Sequence, residues 1–171
     1  MLDGLRYRAA TPRDATIIAE LTAAGFATYR DFAPDGWQPR SSMQEEGPVH
    51  DRLMRGDTHA RLAFDDSALV GVTGWMPALS TQPDRTPIPG RGHIWAVFVA
   101  QPWWGTGLAS DLLAWSVATM RDSGHAAAQL WTPRDSERAR AFYEREGWTT
   151  SGDAIFNADL ALHVVLYERE L

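Results

Sequence analysis

The chain has 171 residues, 44% of them hydrophobic, and a formal net charge of -6, which suits one hydrophobic core and argues against a general nucleic-acid partner, because phosphate neutralisation needs a basic face. There is no cysteine, and all 16 basic residues are arginines. Disulfides, thiolate metal sites and a cysteine nucleophile are therefore excluded, and any ligand phosphate must be held by arginine, hydroxyls or backbone N–H groups.

In chain order, Leu5 to Ala9 reads as a short strand. Thr11-Pro12-Arg13-Asp14 has the marks of a helix start, with Thr as N-cap, Pro first in the helix and an acid three residues after the cap. Ile17, Ile18, Leu21 and Phe26 give that helix its apolar stripe. Ser42 to Arg55 reads as a second helical region, interrupted at Gly47-Pro48. His59 to Phe64 and Leu69 to Trp75 pair as a hairpin across the acidic turn Asp65-Asp66. Met76 to Gly92 contains Pro77, Pro83, Pro87 and Pro89 and no apolar period, so it reads as a long loop of the kind that often forms a lid or binding loop. His93 to Ala100 is apolar, β-branched and aromatic, as expected of a strand covered on both faces. Gly105 to Arg121 puts Leu108, Leu112, Trp115 and Thr119 at helical spacing. Ala127 to Thr132 reads as a strand, Ser136 to Glu146 as a helix, and Trp148 onward and His163 to Glu168 as the closing strands. The order β-α-α-β-β-β-α-β-α-β-β predicts an α/β fold with a mixed sheet. No apolar run approaches the roughly 20 residues that span a bilayer. Met1 to Ala10 lacks the apolar stretch of a secretory signal. The expectation is one cytoplasmic domain over 1–171 with no membrane partner.

The most informative segment is His93 to Ser110, where an apolar strand enters a turn with Gly105 and Gly107 and passes directly into a helix. Glycine permits close backbone approach and unusual φ/ψ. The first N–H groups of the next helix lack intrahelical partners and lie at the positive end of its dipole, which suits a diphosphate. The turn lacks the Gly-Lys-Ser/Thr ending of a nucleoside-triphosphate loop and the Gly-x-Gly-x-x-Gly spacing of a dinucleotide site. A tight turn that merely packs closely remains the alternative.

A later segment completes a pattern: Leu130-Trp-Thr-Pro-Arg-Asp-Ser136-Glu-Arg-Ala139-Arg-Ala-Phe142-Tyr143-Glu-Arg-Glu-Gly147-Trp148. Together the two segments resemble the GNAT superfamily of acyl-CoA-dependent N-acyltransferases. That family's acyl-CoA motif, Gln/Arg-x-x-Gly-x-Gly/Ala, falls on Trp104, Gly107 and Ala109. Its following helix, Asn-x-x-Ala-x-x-Phe-Tyr-x-x-x-Gly-Phe, falls on Ser136, Ala139, Phe142, Tyr143, Gly147 and Trp148. Trp104 departs from the usual Gln or Arg, and Ser136 from the usual Asn. The resemblance implies a single GNAT-like domain with a mixed sheet of about seven strands flanked by about four helices. It implies acetyl-CoA as co-substrate, bound by Trp104, Gly105, Thr106, Gly107, Leu108, Ala109, Ser110 and Ser136, with backbone groups of Val97, Phe98 and Val99 pairing with the pantetheine arm. It implies direct transfer to an amine, with Tyr143 as general acid.

An amine with a lysine-like pKa near 10.4 must lose a proton before it attacks, which at pH 7 costs roughly 4 kcal/mol, so a base or water relay is useful. His93 is the candidate base; Asp135, Glu137, Asp84 and a water chain are alternatives. Tyr143 also reads as a core aromatic beside Phe142 and Ala139. Five scattered histidines show no metal-ligand spacing. The acceptor is expected to be a primary amine on a small molecule, bound by the early helices and the Met76 to Gly92 loop. Some of the eight tryptophans could line that groove. Acylation of a protein N-terminus or lysine, and a silent acyl-CoA-binding module, are the rival readings. A homodimer is left open.

Overall fold

The structure, a computed structural model, describes residues 2–81 and 85–171. Its elements in chain order are β1 (Arg6–Ala9), α1 (Ala15–Ala27), α2 (Ser42–Met54), β2 (His59–Asp65), β3 (Ala68–Leu79), β4 (Pro87–Val99), α3 (Leu108–Asp122), β5 (Ala127–Pro133), α4 (Glu137–Arg145), β6 (Ala154–Asn157) and β7 (Leu162–Glu170). The seven strands form one sheet in the order β1-β2-β3-β4-β5-β7-β6. β4 and β5 run parallel, and every other neighbouring pair is antiparallel. The order and type of elements are those expected from the sequence, and the α/β fold with its mixed sheet stands.

Helices cover both faces. Ala15, Ile18 and Leu21 of α1 and Val49 of α2 meet Leu62, Phe64 and Val72 of the sheet. Leu113, Val117 and Met120 of α3, with Tyr143 of α4 and Trp148, meet Trp75, Ile94, Leu130 and Tyr167. Leu62 and Ala63 are neighbours in β2 but belong to different clusters, as a period of two requires.

Local chemistry explains the element ends. Thr11 N–H donates to Asp14 Oδ2 at 2.7 Å, which opens α1 through a short 3-10 turn at Pro12–Asp14. Ser41 caps α2, accepting from Gln44 N–H while its own N–H donates to Gln44 Oε1. The sequence suggested a break at Gly47-Pro48, yet α2 runs through Pro48. Proline leaves the carbonyl four residues earlier without a donor. That carbonyl is Gln44's, and the Arg40 guanidinium donates to it at 2.9 Å.

Three other expectations change. Met76 to Gly92 is not one long loop: β3 continues to Leu79, and β4 starts at Pro87. β2 pairs with β3 only as far as Trp75, and β5 pairs with β4 only from Arg91. The hairpin between is a two-stranded ribbon whose outer edges pair with no further strand among the described residues, apart from the Ala126 N–H that donates to the Gly90 carbonyl at 2.8 Å, so proline's missing N–H costs little there. Pro83 and Asp84 lie outside the described residues. After Trp148, only Thr149 bridges to β7 before β6 begins at Ala154. And β4 is buried at Ile94 and Ala96 but only half-buried at His93, Trp95 and Val97. The strand is covered on one side and borders a cleft on the other. Among the described residues, no helix is long and apolar enough to cross a membrane.

Candidate active site

β4 and β5 pair from Arg91 to Ile94 on one side and Ala127 to Leu130 on the other, and no further. The cause lies in β4 itself. Its register against β3 shifts between Gly74↔Ala96 and Trp75↔Ile94, which leaves Trp95 as an extra residue. Such a bulge bends a strand and sharpens its twist. Beyond it the two strands part, so Val97, Phe98 and Val99 pair with β3 but present an unpaired edge toward β5. A cleft of about 790 Å³ opens there, bordered by β4, β5, α1, α2, the glycine turn and α4. The Trp37 indole donates to the Leu160 carbonyl at 2.8 Å, tying the loop after α1 to the β6–β7 turn.

The turn at the far end of β4 is shaped by its glycines. Gly105 and Gly107 take φ of 77° and 93°, the left-handed region that disfavours a side chain. A Cβ on either would meet no protein atom within 4 Å, so bare backbone faces open space. Thr106 turns inward, donating to the Trp103 carbonyl at 2.8 Å, and Leu108 is fully buried in the core. These two shape the turn and do not line the cleft. Val97, Phe98, Val99, Trp104, Gly105, Gly107, Ala109, Ser110 and Ser136 all do. Among the described residues, the N–H groups of Gly107, Ala109 and Ser110 donate to no protein oxygen. At the positive end of α3 they make a site that fits a diphosphate. The Ser110 hydroxyl donates to Glu146 at 2.6 Å, and the Ser136 hydroxyl has no partner among the described residues.

Trp104 uses its indole N–H on the Val99 carbonyl at 2.9 Å, occupying one acceptor on the open edge. Over its ring, 3.3 Å from the centroid, lies the Arg138 guanidinium, a cation–π contact. An arginine of α4 thus lies beside position 104, which itself carries no charge.

Tyr143 lines the same cleft and is 9% exposed, its ring against Phe142, Trp148 and Tyr167. Burial, with a smaller contribution from nearby Tyr29, pushes its phenol well above the usual value, so it is protonated at neutral pH. His93 also lines the cleft, and its Nδ1 is buried with no hydrogen-bond partner. Burial first, then Arg52 and Arg85, lower its pKa to about 4, which makes it a neutral imidazole and a weak base. Of the other candidate bases, Asp135 is held by Arg134 outside the cleft. Glu137 does not line the cleft either. Asp84 lies outside the described residues.

Comparison with known proteins decides the family. Residues 20–148 match the acetyltransferase (GNAT) family. The chain belongs to the GNAT acetyltransferase family. No curated protein matches it by sequence. Solved structures share the fold: a protein of Desulfovibrio desulfuricans assigned to the GNAT family is 21% identical with a TM-score of 0.71, over 97% of this chain and 98% of that one. A GNAT-family acetyltransferase of Streptococcus pneumoniae is 18% identical with a TM-score of 0.66, over 98% and 99%. The PaiA N-acetyltransferase of Thermoplasma acidophilum, solved in complex with coenzyme A, is 13% identical with a TM-score of 0.71, over 98% and 99%.

For a GNAT acetyltransferase the sequence left several cleft residues unread. Arg138 falls on a free position of the second motif, between Ser136 and Ala139. Arg40 just before α2, Glu45 and Arg52 of α2, and Asn157, Asp159 and Leu160 near β6 complete the cleft lining. Only the general expectation that the early helices bind the acceptor pointed toward them.

Proposed function

We propose that this single domain transfers the acetyl group of acetyl-CoA to a primary amine on a small molecule, by direct attack within the cleft. The observation that carries this is the continuity of three features in one cavity: the open β4 edge, the glycine turn with its unpaired N–H groups, and Tyr143. The diphosphate would rest on Gly107, Ala109 and Ser110, with Arg138 nearby for phosphate charge. The pantetheine arm would run along the Val97 to Val99 edge as an added strand does. Because Trp104 holds the Val99 carbonyl, that pairing falls on the remaining edge groups.

The amine nitrogen forms its bond to the thioester carbonyl carbon as the carbon–sulfur bond breaks. Tyr143 gives its proton to the departing thiolate; of the two protons the amine loses, passed on through His93 and water, one is released to solvent and one is returned from solvent to Tyr143. With its low proton affinity, His93 serves as a transient acceptor at the head of that relay. The small-molecule reading is supported by the Trp37–Leu160 hydrogen bond, which ties the loop after α1 to the β6–β7 turn beside the cleft residue Leu160.

The test is a screen of primary amines with acetyl-CoA, following released thiol colorimetrically, to which a cysteine-free protein adds no background. Turnover with at least one small amine is expected. Ala109→Glu places a carboxylate against the diphosphate without disturbing helical backbone, and it should abolish acetyl-CoA binding in calorimetry. Unchanged affinity in a folded variant would refute the cofactor assignment, and binding without any turnover would favour the silent module.

A further inference from the structure

We infer that the acceptor is an amine that also carries a carboxylate, and that Arg52 is the residue that binds that group. The inference rests on the acyl-transfer reading of the cleft and concerns its acceptor end. Arg40, just before α2, and Glu45 in its first turn line the cleft, and because α2 runs unbroken past Pro48 it brings Arg52 to the same wall. Two of these satisfy each other: Arg40 pairs with the buried Glu45 carboxylate and spends another N–H on the Gln44 carbonyl. Arg52 is different. It is half-buried with its guanidinium 5.6 Å from the centre of the Trp95 ring. Among the described residues it makes no hydrogen bond or ion pair through its side chain. Taking an arginine out of water without a partner is costly. An arginine kept in that state beside a binding cleft is completed when a ligand brings the missing anion.

The surrounding charges select which anion. Glu45 and Asp159 lie within electrostatic reach of Arg52, as do Arg40 and Arg85. Arg40 neutralises Glu45, and Asp159 remains as an exposed carboxylate with no ion pair among the described residues. That field tolerates one added negative charge and opposes two, which favours a carboxylate over a phosphate dianion. A carboxylate also matches the planar guanidinium fork. Arg52 contributes to the field that keeps His93 neutral. A bound carboxylate offsets that contribution, so the arriving acceptor strengthens the group that takes its proton.

The experiment compares matched amines with acetyl-CoA: L-amino acids against their carboxamides, and ω-amino acids against the corresponding alkylamines. In parallel, calorimetry measures N-acetyl-amino acids and their amides binding to the protein saturated with CoA. The wild type should prefer the carboxylate member at least about tenfold, the range of a hydrogen bond to a charged group. Arg52→Met should close that gap mainly through the acceptor KM, with acetyl-CoA affinity unchanged, and Arg52→Lys should keep part of it. An Arg52-dependent preference in product binding without turnover supports the carboxylate subsite while refuting acyl transfer. A wild type that ignores the carboxylate, a preference that survives Arg52→Met, or no binding of either product overturns the inference.

Discussion

Tyr143 makes the cleft's chemistry testable with one atom. Its ring is fixed by Phe142, Trp148 and Tyr167 at centroid distances of 5.1, 6.3 and 5.9 Å, so removing the hydroxyl leaves the packing in place. A phenol with a raised pKa keeps its proton until charge develops on the leaving sulfur. Tyr143→Phe should therefore lower kcat by about 10²- to 10⁴-fold, the usual range for a general acid, with acetyl-CoA affinity close to wild type. Stopped-flow measurement of the chemical step checks this; a change under about threefold would leave Tyr143 with a packing role. Tyr143 and the two glycines were legible as cleft residues because the motif fixes residue types at a set spacing. Arg138 and Trp104 were not legible as a pair. Their contact joins α4 to the glycine turn, and no local pattern records a cation–π stack between distant segments. Arg52 was hidden for a related reason, since an arginine on a polar helix looks solvated until the cleft is seen beside it.

At the scale of elements, the bulge at Trp95 is what opens the sheet. Element type and order were readable from periodicity, but a bulge is an offset between two strands and leaves no mark in either one alone. Prolines misled at Met76 to Gly92, because as breakers they look alike whether a strand's edge is paired or free. The bulged Trp95 packs its ring against Gly74, where a methyl group would overlap it. Gly74→Ala forces that ring to move, and overpacking of this kind costs typically about 1–3 kcal/mol. A urea titration should show that loss. The acceptor KM should rise with the displaced Trp95, while acetyl-CoA affinity changes little. A urea midpoint equal to wild type would mean that the ring has room to yield.

For the whole molecule, one ion pair near the N-terminus joins the edge strand to the first helix. Arg8 grips Asp14 at 2.8 and 2.6 Å, and Thr11 adds a backbone donor. With Arg8 as the main cause, these contacts lower the Asp14 pKa from 3.8 to about 2. Asp14 is buried, but the Arg8 side chain that mainly causes the shift is 43% exposed, so with solvent screening the contribution is on the order of 1 kcal/mol. Because the folded carboxyl loses its proton more readily than the unfolded one, this contribution is complete above about pH 4 and fades as the pH falls toward 2. Asp14→Asn should be less stable than wild type at pH 7 by denaturant unfolding, with the gap narrowing as the solution is acidified across that window. A gap that stays constant with pH would assign the effect to the cap geometry instead. The opposite end of the chain carries a different consequence. β7 is the last strand in sequence, yet it lies inside the sheet between β5 and β6. As the chain leaves the ribosome, β1 to β4 and the glycine turn emerge first and have their pairing partners at hand. β6 then has no neighbour to pair with until β7 emerges. Leu160, the anchor for Trp37, waits on the same event. In newborn protein the glycine-turn end of the cleft can therefore assemble before the end beside β6, which waits for β7.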